Sequence, residues 1–156
     1  MAEPTGFAMK ELFSQLVGRD VTFAQPKPTS RPNGKQMYGL YTVLPQEHVL
    51  VVQADLALLG SFAGALVGLP DDAVKERLSR PPLEELLRDA VHEVLNIAST
   101  VVTTEGRAVF KKMADDPVYL DTLDAGFLTQ PDRKTTFEVS IDGYQGGLMT
   151  IFAQLF

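Results

Sequence analysis

The stretch that decides the architecture runs from Leu83 to Val101 and reads LEELLRDAVHEVLNIASTV. Its apolar residues Leu83, Leu86, Leu87, Ala90, Val91, Val94, Ile97, Ala98 and Val101 return every three or four positions. A 3.6-residue period gathers such residues into one broad stripe. Pro81 and Pro82 stand at its start, where a first helical turn tolerates proline, and Glu84 and Glu85 suit the positive end of the dipole. The pattern predicts a helix of about five turns that stops near Gly106. Beside the stripe, Asp89, Glu93, Asn96 and Thr100 fall on a neighbouring strip, because residues three and four apart share a helix face. Asn96 is out of place there: its amide competes for local backbone groups and weakens a helix interior.

Towards the N-terminus, Phe7, Leu12, Phe13, Leu16 and Val17 predict a helix over Phe7 to Val17 with Gly18 as its C-cap. Val21 to Ala24 predicts a short strand, and Pro26 to Gly34, rich in Pro, Ser and Asn, an exposed loop. Met37 to Leu44 and His48 to Gln53 predict two strands joined by Pro45-Gln46-Glu47. Asp55 is placed to cap a helix over Leu56 to Leu69, and a short charged helix follows from Asp71 to about Leu78. Gly60-x-x-x-Gly64 predicts close packing of the first of these helices on the sheet or on the long helix. Towards the C-terminus, Arg107 to Met113 predicts a strand and Asp115-Asp116-Pro117 a turn, followed by a loop from Asp121 to Arg133. Thr136 to Ile141 and Leu148 to Leu155 predict a hairpin around Asp142 to Gly147. The alternation Phe137, Val139, Ile141 and then Leu148, Thr150, Phe152 predicts one buried face and one open face. Together these elements predict a single α+β domain over residues 1–156: a mostly antiparallel sheet with long helices covering one face.

Composition removes several classes of function. The chain has no cysteine, which excludes disulfides, cysteine zinc sites and thiol nucleophiles. His48 and His92 are too far apart in the chain to form a ligand pair, so no metal of its own is expected. A formal net charge of −6 repels phosphate backbones, and no Lys or Arg run offsets it, which argues against nucleic-acid binding. Met1-Ala2-Glu3-Pro4-Thr5 lacks the basic-then-apolar order of a signal peptide. No apolar stretch reaches the length of about 18 residues needed to span a bilayer. The expected location is the cytoplasm, with no membrane association. Ser14, Ser61 and Ser99 have no histidine at a triad spacing, and Gly143 to Gly147 has no following helix to cradle a phosphate.

The order Asp89-x-x-x-Glu93-x-x-Asn96 resembles the D/S-x-x-x-E-x-x-N pattern of the CheC, CheX and FliY chemotaxis phosphatases. In that family a proline follows some twenty-odd residues later, and Pro117 stands twenty-one positions beyond Asn96. Glu11 to Val21 is similar to the family's first helix and strand, His48 to Leu69 to the strand and helix before the motif, and the Gly-rich hairpin to its closing strands. Thr100 stands where the family commonly has glycine. Only one motif is present, since Ser14 occupies the place where a second would need asparagine, and in this the chain resembles CheX more than CheC.

The resemblance implies a CheC-like fold and a phosphatase that accelerates loss of phosphate from the phospho-aspartate of a CheY-like response-regulator receiver. Glu93 would pair with a receiver lysine, and Asn96 would enter the receiver site and orient the attacking water. Mg2+ would belong to the partner receiver, and the chain would need no cofactor of its own. A homodimer joined through sheet edges, which the C-terminal hairpin would supply, is also implied. The alternatives are a non-catalytic receiver-binding member of the same fold, and a dimerisation domain.

Overall fold

The computed structural model describes residues 4–120 and 128–155. Helix α1 spans Gly6–Val17; Thr5 caps it, its Oγ1 accepting from the Ala8 N–H at 3.1 Å, and Gly18 ends it at φ 65°, a conformation that suits glycine. Strands β1 (Val21–Ala24), β2 (Gln36–Leu44) and β3 (His48–Asp55) follow, then helices α2 (Leu56–Val67), α3 (Asp71–Leu78) and α4 (Glu85–Ala98). Strand β4 (Arg107–Ala114), a 3-10 turn at Pro117–Tyr119, and strands β5 (Arg133–Ile141) and β6 (Tyr144–Gln154) complete the chain. The six strands form one sheet in the order β1-β5-β6-β3-β2-β4, and every neighbouring pair is antiparallel.

The main core lies between one sheet face and the helices. Phe13 of α1, Phe62 of α2 and Val91 and Val94 of α4 meet Tyr41, Leu50, Val52, Met149 and Ile151 from the strands. Burial of side chains this size contributes about 1.5–3 kcal/mol each. The fold class is thus the α+β arrangement expected, with helices on one face of an antiparallel sheet.

Several local expectations are corrected. Strand β6 is buried on both sides: Met149 and Ile151 face the helices, whereas Phe152 joins Tyr38, Leu40 and Val51 in a second cluster closed by Leu120. An interior strand covered on both faces reads as a continuous apolar run, so Leu148, Thr150 and Phe152 do not mark the helix side. The hairpin turn is two residues, Asp142 and Gly143, rather than six. Both its strands lie inside the sheet, so the free edges belong to β1 and β4 and not to the C-terminal hairpin. The predicted loop from Asp121 to Arg133 lies outside the described residues over 121–127.

Asp55 stands at the N-cap of α2, but its carboxylate does not cap the helix. Oδ1 accepts from the Asn33 N–H at 3.0 Å and the Gln36 amide at 2.7 Å, and Oδ2 accepts from the buried Leu148 N–H at 3.0 Å. The side chain thus ties the Pro26 to Gly34 loop, β2 and β6 together. Helix α2 packs on α4 and on the sheet as expected, but its two glycines, Gly60 and Gly64, face α3. A Cβ on Gly64 would stand 2.2 Å from Val74 Cγ2, and one on Gly60 2.6 Å from Leu78 Cδ1.

Candidate functional site

The site is built on α4. The Arg77–Glu84 ion pair at 2.5 Å links the end of α3 to the residue before α4, and the Arg88 N–H bonds the Glu84 carbonyl at 2.9 Å. Pro81 and Pro82 precede the helix and are not part of its first turn; at the other end Val101 lies beyond Ala98, so the helix is shorter than its apolar pattern. The buried side is Leu87, Ala90, Val91, Val94, Leu95 and Ala98. Leu95 is 1% exposed whereas Leu86 is 50% exposed, and Ile97 is only half-buried, so the stripe is rotated from the expected one. A stripe centred on Leu87, Val91 and Val94 puts Leu86 on its outer border and draws Leu95 inward.

That rotation leaves Asp89, Glu93, Asn96 and Thr100 exposed on one side. Among the described residues neither the Glu93 nor the Asn96 side chain has a hydrogen-bond or ion-pair partner. A carboxylate and, one turn later, a neutral amide with two donors and an acceptor are therefore free to meet another molecule. Thr100 folds back on its own helix, with Oγ1 donating to the Ile97 carbonyl at 3.0 Å. His92 sits beside the strip, its ring edge-on to Phe110 with centroids 4.9 Å apart.

A groove of about 440 Å³ runs past Asn96, between the end of α4 and the start of β4, with Thr100, Thr103, Arg107 and Phe110 among its lining. Two local features shape its floor. The Thr103 hydroxyl donates to the Glu105 carbonyl at 2.8 Å, and Gly106, at φ 76°, approaches the Leu44 carbonyl so closely that a Cβ would stand 2.5 Å from that oxygen. Arg107 and Phe110 escape a reading of the motif helix because the following strand contributes them. Pro117 does not join the pair: it opens the 3-10 turn beyond the far end of β4, where Asp116 Oδ1 accepts from the Val118 N–H at 3.0 Å, the turn read from the sequence.

A larger cavity, about 860 Å³, lies elsewhere, between the ends of α1 and α2. Its Arg19 is already engaged by the Asp142 carbonyl at 3.4 Å and by the Tyr144 ring at 5.0 Å, which leaves it a less suitable reactive site than the open α4 strip. Among the described residues no group of three His, Asp or Glu side chains converges as metal ligands, and no helix is long and apolar enough to cross a membrane.

Neither a protein-family model nor a curated protein matches the sequence. Solved structures do. The crystal structure of Thermotoga maritima FliY superposes with a TM-score of 0.55 at 16% identity, covering 92% of this chain and 81% of that one. FliM in its complex with SpeE from H. pylori gives a TM-score of 0.66 at 10% identity, covering 96% and 81%. The FliM middle domain from H. pylori gives 0.53 at 14%, covering 96% and 84%. The chain shares the fold of FliY and of the FliM middle domain.

Proposed function

We propose that this chain accelerates hydrolysis of the phospho-aspartate on a CheY-like response-regulator receiver, with Glu93 as the docking carboxylate and Asn96 as the group that orients water. One observation carries the reading: Glu93 and Asn96 lie one turn apart on the exposed side of a helix anchored by its other side, and neither side chain has a partner among the described residues. The fold shared with FliY supports it. Glu93 would pair with a lysine beside the receiver's phosphorylated aspartate and set the register. The Asn96 carbonyl would then accept a hydrogen bond from water, leaving the oxygen lone pair aimed at phosphorus. The water oxygen forms the new bond to phosphorus, the bond from phosphorus to the aspartyl oxygen breaks, and the carboxylate leaves with its electron pair. The water proton passes to the released phosphate or to solvent. An amide suits this work because it brings no negative charge towards a phosphoryl group. Mg2+ held by the receiver would neutralise the departing charge, so the phosphatase contributes positioning alone. Thr100, with its hydroxyl turned back to Ile97, need not obstruct the approach.

The second reading is a member of the fold that binds a signalling partner without hydrolysis. The higher TM-score to FliM in its complex with SpeE favours it. Phosphate release from phosphorylated receivers, with wild type and with Asn96→Ala, separates the two. Faster release that depends on Asn96 supports the phosphatase; binding without faster release supports the second reading. A cytoplasmic location and a homodimer belong to the same proposal, and the dimer would use a sheet edge other than the C-terminal hairpin.

A further inference from the structure

Asn96 follows directly on Leu95, and Leu95 is held from below at two points by strand β2. Its side chain lies over Gly39, where an added Cβ would meet Leu95 Cδ2 at 3.2 Å. Its carbonyl accepts a hydrogen bond from the Tyr41 hydroxyl at 2.5 Å. Tyr41 is 0% exposed, and its ring packs against Phe110 with centroids 5.3 Å apart. In an uninterrupted α-helix the Leu95 carbonyl would be served by the Ser99 N–H. Here the Ser99 N–H turns to the Asn96 carbonyl at 3.1 Å, the Thr100 N–H to Ile97 at 3.3 Å and the Val101 N–H to Ala98 at 3.0 Å. These three are i to i+3 bonds, the tighter winding that closes many helices, and the Val102 N–H then meets the Ala98 carbonyl in the ordinary i to i+4 manner at 3.1 Å. The Tyr41 hydroxyl therefore supplies the Leu95 carbonyl while the backbone beyond it tightens around Asn96.

We infer that Tyr41 is a positioning residue for Asn96: its hydroxyl holds the last turn of α4 in the tight form and so sets the direction in which the Asn96 amide leaves the helix. The inference rests on the phosphatase reading above. Glu93 lies one turn earlier, in regular helix, so Tyr41 governs the water-orienting group and not the docking contact. Burial raises the Tyr41 phenol well above its ordinary range, so the hydroxyl stays a donor. The hydrogen bond is enclosed in the core, where a polar contact is strong and leaving its acceptor unpaired is costly.

The test is Tyr41→Phe, which keeps the ring and removes only the hydroxyl. Stimulated phosphate release is measured against phosphorylated-receiver concentration, with backbone amide exchange followed by NMR on the same variant. The maximal rate is expected to fall about tenfold, as misplacement of a positioning group does, with half-saturation changed less than about twofold. Exchange is expected to quicken at Ser99, Thr100 and Val101 beyond any change in β3 and β6. Gly39→Ala, whose new Cβ would press on both the Leu95 side chain (3.2 Å) and the Tyr41 ring (3.3 Å) while leaving the hydroxyl in place, is expected to lower the maximal rate in the same way. Met149→Ala, a core truncation on β6, controls for general destabilisation and is expected to keep the wild-type maximal rate. A wild-type maximal rate in both Tyr41→Phe and Gly39→Ala, or an equal loss in Met149→Ala, overturns the assignment and leaves the phosphatase reading intact. A wild-type protein that stimulates no phosphorylated receiver overturns the phosphatase reading, and this inference with it.

Discussion

Asn96 and Glu93 differ in what their removal should do, although they lie one turn apart. Truncating Asn96 takes away the atoms that orient water and leaves the docking carboxylate, so Asn96→Ala should lower stimulated dephosphorylation by about a hundredfold while receiver affinity stays nearly unchanged. Truncating Glu93 leaves the receiver's lysine unmatched, so Glu93→Ala should weaken the complex itself. Surface plasmon resonance alongside phosphate release distinguishes the two effects, and equal release by wild type and Asn96→Ala would end the mechanism. Neither variant should unfold the domain, because both side chains are exposed and have no partner among the described residues. Asn96→Ala should even stabilise it by up to about 0.5 kcal/mol, given alanine's better helix propensity. Asp55 presents the opposite case: it is 3% exposed and accepts three hydrogen bonds. Asp55→Ala leaves the Leu148 N–H buried without a partner, and urea unfolding should show a loss of about 2–4 kcal/mol. A loss below about 0.5 kcal/mol would mean that the loop and strands are held without it.

At the scale of elements, the packing of α2 on α3 turns on two glycines that differ in what faces them. Gly64 would press a new Cβ onto Val74, a β-branched residue with little freedom at χ1, whereas Gly60 would meet the end of the more mobile Leu78 side chain. Alanine in a helix interior gains about 1 kcal/mol over glycine. Gly60→Ala should therefore come out near neutral in thermal unfolding, while Gly64→Ala should destabilise by about 1–3 kcal/mol from overpacking. Equal effects would show that α3 yields as a unit. The same elements mark what the sequence discloses. The period of α4, the Gly18 cap and the charged α3 are legible because local spacing determines each. The end of α4 is not, because a hydroxyl 54 positions away on β2 bonds its last turn. The role of Asp55 is hidden likewise: an aspartate before a helix looks like a cap, and its donors come from residues 22 and 93 positions away as well as from Gln36. Glu93 and Asn96 are legible as a pair through their order and spacing, whereas the groove beside them is not, since Arg107 and Phe110 join it only once β4 pairs beside β2.

For the whole molecule, the sheet order decides how two copies can meet. The insertion of β5 and β6 between β1 and β3 leaves two outer strands, β1 with four residues and β4 with eight. An edge strand offers unpaired backbone groups to a second chain, and a closed two-fold dimer requires the same edge from both copies. The longer β4 is the better edge, although its register shifts against β2 between Leu40 and Tyr41, an irregularity of the kind that shields edges. A sheet continued through β4 would extend in the sheet plane, whereas Glu93 and Asn96 stand on the helix layer above it. Each copy would then keep a complete strip, because both residues come from one helix of one chain. Two results are expected together. Light scattering at tens of micromolar should report twice the 17.1 kDa chain mass, and a single-chain mass at every concentration would exclude the dimer. Stimulated phosphate release per chain should stay constant on dilution through dissociation, since no second copy completes the site. A specific activity that falls with the dimer fraction would instead place part of the working surface across the interface, on β4 and the groove it borders.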